Sequence, residues 1–152
     1  MTLCSATLVA VGSVNPNTKK SEILQSNQWT EIEDVPAEGF FNQYAVVFYD
    51  GDYYYFGGDQ NIVYQDILRL DGNRWTWSTV GQLNTPRNGH GVILAGNTFK
   101  VIGGATYDGT ALKNEVCIIQ NQEFMCTEQS SELFYYYRYP ILHLVNKDYS
   151  NC

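Results

Sequence analysis

The feature that most constrains this chain is a short apolar run ending in two glycines that returns at a fixed interval. Tyr53-Tyr54-Tyr55-Phe56 ends in Gly57-Gly58, and Phe99-Lys100-Val101-Ile102 ends in Gly103-Gly104. A weaker copy, Leu8-Val9-Ala10-Val11, ends in Gly12-Ser13. Gly12 and Gly57 are 45 residues apart, and Gly57 and Gly103 are 46 apart. Self-similarity at roughly 40–50 residues marks a chain of stacked supersecondary units, none of which can bury its apolar face alone. Other residues keep the interval. Trp29 and Trp75 are 46 apart, each followed by Thr and preceded by a turn, Ser26-Asn27 or Gly72-Asn73. Tyr44 to Phe48 aligns without a gap on His90 to Leu94, while Phe124 follows Trp75 by 49, with the extra residues in the loop after Gly104.

Each unit reads as four short strands. In the second, Ala45 to Tyr49 is followed by Asp50-Gly51-Asp52, an Asp-Gly hairpin signal, and then by the return strand Tyr53 to Phe56. Ile67 to Leu70 is a third strand, and after Asp71-Gly72-Asn73 a fourth carries Trp75 and Trp77. The third unit repeats this order with Gly91–Leu94, Phe99–Ile102, Val116–Ile119 and Phe124–Cys126. Twelve tyrosines and no long run of helix formers agree with strands. The expected organisation is a partial unit at 1–36, whole units at 37–83 and 84–133, and the start of a further one at 134–152. The last begins with a strand over Tyr139 to Val145 and turns at Asn146-Lys147-Asp148. On this alignment the sequence starts and stops inside a unit.

A net charge of −7 speaks against nucleic-acid or anionic-membrane partners, which need a basic footprint. No window reaches the roughly 18 apolar residues of a membrane span. Met1 to Ser13 lacks a positive leading region and aligns on a strand, so it reads as strand rather than signal peptide. Two histidines and four cysteines fall in no zinc spacing, so no metal or cofactor is expected. No Gly-x-Ser-x-Gly accompanies a catalytic order of Ser, His and Asp, so the chain does not read as an enzyme. Glu31, Glu33, Asp34 and Glu38 form an acidic cluster of the kind found on solvated edges.

The hairpin of the third unit makes a specific expectation. A two-residue turn at Asn121-Gln122 sets Gln120 opposite Glu123, Ile119 opposite Phe124, Ile118 opposite Met125 and Cys117 opposite Cys126. The cysteines then occupy a non-hydrogen-bonded pair, with Cα atoms about 4.5 Å apart. Such a pair either closes a disulfide, which suits an extracellular compartment, or stays as two packed thiols in a reducing one. Cys4 and Cys152 have no assignable partner.

Pro86-Arg87-Asn88-Gly89-His90-Gly91, the apolar strand after it, Gly103-Gly104, and Trp75 in the preceding unit resemble the kelch repeat. The resemblance runs along nearly the whole chain. Its departures are Gly12-Ser13 for the glycine pair, Phe124 for Trp, and Phe41 where the family often has Arg. It implies an all-β fold, an incomplete kelch-type β-propeller of four-stranded antiparallel blades. On that reading Gly12, Gly57, Gly58, Gly103, Gly104, Trp29 and Trp75 are structural, building blade cores and the joints between blades. Arg87 and His90 would tie neighbouring strands together. Protein-binding members imply contacts from the loop after the glycine pair and from the start of each first strand. These positions are Asn42, Gln43, Asp59, Gln60, Arg87, Asn88, Ala105, Thr106 and Tyr107, with Tyr137 and Arg138 in the last unit. The implied function is recognition of another protein, with missing blades or self-association covering the open faces. Kelch propellers also occur in carbohydrate-active oxidases and epimerases, and in substrate adaptors of ubiquitin ligases.

Overall fold

The computed structural model describes residues 7–11, 19–36, 43–59, 62–106, 108 and 112–132. Gly12, Asn42, Gln60, Tyr107, Tyr137, Arg138, Cys4 and Cys152 lie outside them. The described chain is all-β, with eleven strands in three antiparallel sheets. The first sheet is β1 (Leu8–Val11), β2 (Ser21–Gln25) and β3 (Gln28–Ile32), in that spatial order. The second is β4 (Ala45–Tyr49), β5 (Asp52–Phe56), β6 (Asp66–Leu70) and β7 (Trp77–Gln82). The third is β8 (Asn88–Ala95), β9 (Thr98–Ala105), β10 (Lys113–Gln120) and β11 (Glu123–Glu132). Each sheet is therefore a meander.

The turns explain the meanders. Asp50-Gly51, Ser26-Asn27 and Asn121-Gln122 all have positive φ at both positions. That backbone matches the right-handed twist of the flanking strands and closes a two-residue hairpin. The expected register at the last of these is observed, Gln120↔Glu123 through to Cys117↔Cys126.

The sheets stack face to face, β4 beside β8 and β7 beside β11. Alternation along β5 divides its aromatic side chains between two cores. Tyr54 and Phe56 join Ile67 and Val80 against Phe99, Val101, Cys117 and Phe124 of the third sheet. Tyr55 joins Leu68, Leu70 and Trp77 on the other side, with Val9, Val11 and Ile32 of the first sheet and the buried Val35 after it. The second sheet is thus apolar on both faces, which is why Tyr53 to Phe56 shows no alternation between polar and apolar residues. Edge-to-face ring pairs such as Phe56–Phe124 and Tyr54–Phe124, with centroids 5.4 and 5.3 Å apart, fill the larger core.

Two tryptophans sit differently from expectation. Trp75 precedes the fourth strand instead of belonging to it: its φ is +58° and its N–H donates to the Asp71 carbonyl. The Asp71 carboxylate accepts the N–H groups of Asn73 and Arg74, widening the turn so that β7 begins at Trp77. Trp77 is the buried one, its indole N–H donating to the Glu33 carbonyl across the joint. Trp75 only packs against the margin of that core. Trp29, paired with Leu24, is exposed, because the face of the first sheet on which it lies has no described neighbour.

Candidate functional site

The Gly57-Gly58 pair marks where the second sheet meets the third at one end, and Gly103-Gly104 lies against β8 within the third sheet. Gly57 has φ +57°, and a Cβ there would lie 2.5 Å from the Arg87 carbonyl oxygen and 2.9 Å from His90 Cε1. Gly104 has φ +92°, and its Cβ would lie 2.7 Å from the Asn88 carbonyl oxygen and 2.8 Å from His90 Cβ. Only glycine fits such a close approach with positive φ. Gly58 N–H then donates to the Arg87 carbonyl at 2.9 Å, stitching the end of one sheet to the start of the next.

Arg87, held between these contacts, is fully buried. Its Nη1 donates to the carbonyls of Gly103 and Lys113 at 3.2 and 3.0 Å, and its Nη2 to Glu115 Oε1 at 2.5 Å. Glu115, equally buried, also accepts from the Asn84 N–H, the Asn84 side-chain amide and the Thr85 N–H. Burial pulls the Arg87 pKa down and the Glu115 charge pulls it back up. A buried charge stays charged only when paired and hydrogen-bonded in this way. The pair joins the 84–87 turn to β9 and β10, and neither partner is free to meet a ligand.

His90 is buried between Gly57 and Gly104. Desolvation, seconded by the Arg87 charge, pushes its pKa down to about 3, with the Phe56 backbone pulling the other way. It is a neutral side chain at ordinary pH. Burial likewise raises the Tyr44 and Tyr55 phenols above their usual range. None of these groups is poised to move a proton near neutrality.

Glu115, Cys117 and Cys126 bring potential metal-ligating atoms within 4.8 Å of one another. Cys117 and Cys126 are joined in a disulfide with Cα atoms 4.0 Å apart, and the Glu115 carboxylate is taken by Arg87, Asn84 and Thr85. The trio is a structural knot rather than a cradle for an ion.

What remains for recognition is the loop end beside the glycine pairs. Asn88 Nδ2 donates to Asp59 Oδ2 at 2.7 Å, Gly89 N–H donates to the Gln43 carbonyl at 2.8 Å, and Asn88 pairs with Ala105 in the β8–β9 ladder. Four of the expected contact positions, Gln43, Asp59, Asn88 and Ala105, therefore converge, with Thr106 next along the chain. Their exposure differs. Gln43 is exposed, and Asp59 and Thr106 are partly so. Arg87, Asn88 and Ala105 are buried, so the reading of these three as partner contacts is corrected: they support the loop end from beneath. Glu115 escaped the sequence reading. Its one signal was Asp66, an acid 49 residues earlier that also lies in a third strand.

No protein-family model matches the chain, and no curated protein matches it. Among solved structures it is similar to one described as "Structure of YjhT", with a TM-score of 0.62 and 16% identity over 82% of this chain. The match takes in 48% of that protein, so the chain spans about half its length. At this identity the likeness is one of fold: the stack of antiparallel sheets recurs there.

Proposed function

We propose that the chain is a run of kelch-type propeller blades that acts as a protein-recognition module. The binding surface is the loop end carrying Gln43, Asp59 and Thr106. The observation that carries this reading is the convergence of these loops on a rigid base, where Asp59 is held by Asn88 and Gln43 by Gly89. Loops fixed on a stiff scaffold are the usual carriers of binding. The 45- and 46-residue intervals, the sheets stacked strand on strand and the tight joint at Gly57-Gly58 support the propeller. The Cys117–Cys126 disulfide supports an oxidising compartment.

The test is affinity capture from extracts of the source, comparing the natural protein with Gln43→Ala/Asp59→Ala/Thr106→Ala. The expected result is loss of the captured partner with the melting temperature held within a few degrees. An unchanged captured set would sink the assignment of this face.

A further inference from the structure

Of all the asparagines in the sequence, only Asn88 is followed by glycine. That step has a reaction of its own. Gly89 carries no side chain to hinder its nitrogen, which can attack the Asn88 Cγ. The bond from Gly89 N to Cγ forms, the Cγ–Nδ2 bond breaks, and ammonia leaves with the Gly89 amide proton. Solvent water then opens the cyclic imide. Breaking the new bond to Cγ leaves an aspartate at position 88. Breaking the bond to the Asn88 main-chain carbon instead leaves an isoaspartyl link, in which the chain runs through Cγ. Either way a water is taken up and an ammonia is released. Gly89 has φ +58°, so the backbone itself calls for the residue that makes the step labile.

The folded chain holds this step away from the reaction, and the hold comes from the neighbouring sheet. Arg87 N–H donates to the Tyr64 carbonyl at 3.1 Å, and Gly58 N–H donates to the Arg87 carbonyl at 2.9 Å. Asn88 Nδ2 donates to Asp59 Oδ2 at 2.7 Å, which turns the amide toward the second sheet. The Gly89 N–H, whose nitrogen is the nucleophile, is taken by the Gln43 carbonyl at 2.8 Å. All of these partners lie in the segments before β4 and between β5 and β6. Within its own sheet Asn88 is paired with Ala105 on β9. Asn88 Oδ1 has no hydrogen-bond partner, so the amide is held through Nδ2 alone. At 6% exposure, Asn88 is also shielded from the water that the second step consumes.

We propose that Asn88 is a self-modification site gated by the joint between the second and third sheets, and that its deamidation unlocks the loop end irreversibly. Opening the joint breaks the bonds to Gln43, Gly58, Asp59 and Tyr64 together while β8 stays paired with β9. The reaction therefore needs local opening and not unfolding of the chain. Closure is then barred. A carboxylate at position 88 meets the Asp59 carboxylate where an amide N–H stood, and two carboxylates so close cannot both ionise. The isoaspartyl product lengthens the main chain inside β8 and puts what precedes it out of register with β9. Asp59 loses its hold in both cases. The chemistry stands on the joint alone. Only its effect on partner capture rests on the loop-end reading, so the two can fail separately.

The experiment is peptide mapping by mass spectrometry of the purified chain held at physiological temperature, folded or in urea. Trypsin releases the peptide 88–100, and fragmentation distinguishes a change at Asn88 from one at Asn97. An isoaspartyl methyltransferase marks the isomer. Conversion is expected to be at least about tenfold slower in the folded chain than in urea, because local opening limits it. Asp59→Ala, with an unchanged circular dichroism spectrum, is expected to raise the folded rate about tenfold through the lost hydrogen bond. Asp59→Asn keeps an acceptor for the Asn88 amide and is expected to stay near the natural rate. Trp77→Ala destabilises the chain away from this joint and is expected to leave the rate unchanged. Asn88→Asp, which copies one product, is expected to lower the melting temperature. Equal rates in the folded and urea states, no gain from Asp59→Ala, an equal gain from Trp77→Ala, or an unchanged melting temperature for Asn88→Asp would each overturn the inference.

Discussion

Glu115→Ala tests directly whether the third sheet is anchored by a buried ion pair. The substitution leaves the Arg87 guanidinium buried with carbonyl acceptors from Thr85, Gly103 and Lys113 but no carboxylate hydrogen-bonded to it. Breaking a buried pair from one side costs about 3–5 kcal/mol. It also strands the N–H groups of Asn84 and Thr85, at about 1–3 kcal/mol each if water cannot reach them. Asn84 is exposed and Thr85 partly so, so water recovers most of that cost and the expected total stays near 4 kcal/mol. At about 2–4 °C per kcal/mol for a domain of this size, the melting temperature falls by about 8–16 °C. Arg87→Met/Glu115→Ala removes both charges and is expected to be no less stable than Glu115→Ala or Arg87→Met alone. Urea unfolding with an unchanged slope supplies the energies. A coupling of about 2 kcal/mol or more is expected, well above the few tenths seen for independent sites. If the two single losses simply added up to the double loss, the ion pair would not be the anchor.

Other consequences can be measured in the same way. His90 is neutral in the folded protein, with its pKa lowered from 6.5 to about 3. Its contribution is therefore present above pH 6.5 and lost as the pH falls toward 3, because only the unfolded chain takes up the proton in that window. The loss is about 1.4 kcal/mol per pH unit, and His90→Gln is expected to flatten the urea midpoint between pH 6.5 and 4.5. Trp77→Ala is expected to cost about 3–5 kcal/mol through the cavity it leaves, and Trp75→Ala clearly less; equal losses in thermal melts would contradict the placement of these rings. Reducing the Cys117–Cys126 bridge, which closes a short loop, is expected to lower stability by about 2–3 kcal/mol without loss of strand signal.

The parts of this fold that could be read from sequence are those set by local rules. The Asn121-Gln122 turn dictates the pairing of every residue on either side of it, so the facing of Cys117 and Cys126 followed from counting. The 46-residue interval likewise located β4, β5, β8 and β9. Trp75 was misread because the interval alone placed it, whereas the Asp71 side chain widens the turn and displaces the strand start to Trp77. The burial of Arg87 was hidden for a different reason. Its partner lies 28 residues on, on a strand two removed in the same sheet, and no local pattern links the two. Of the loop end, the convergence of positions was legible and their exposure was not, because exposure depends on how the neighbouring sheet packs over them.

The aromatic run of β5 leaves its alignment open to error. In a sheet with one wet face, a slip of one residue turns the oily side to water and is strongly disfavoured. Tyr53 to Phe56 would only exchange one apolar face for another, so hydrophobicity hardly distinguishes the right alignment from its neighbours. Discrimination then falls to the few polar groups at the end of the strand. The Asp50-Gly51 turn sets Tyr49 opposite Asp52. The Asp52 carboxylate in turn receives Arg69 Nε at 2.7 Å and the Gly72 N–H at 2.9 Å. A slipped strand would carry this acid away from both donors and set a tyrosine in its place. Asp52 thus proofreads the hairpin, and its removal should show less in the stability of correctly folded molecules than in the fraction of chains that reach that state.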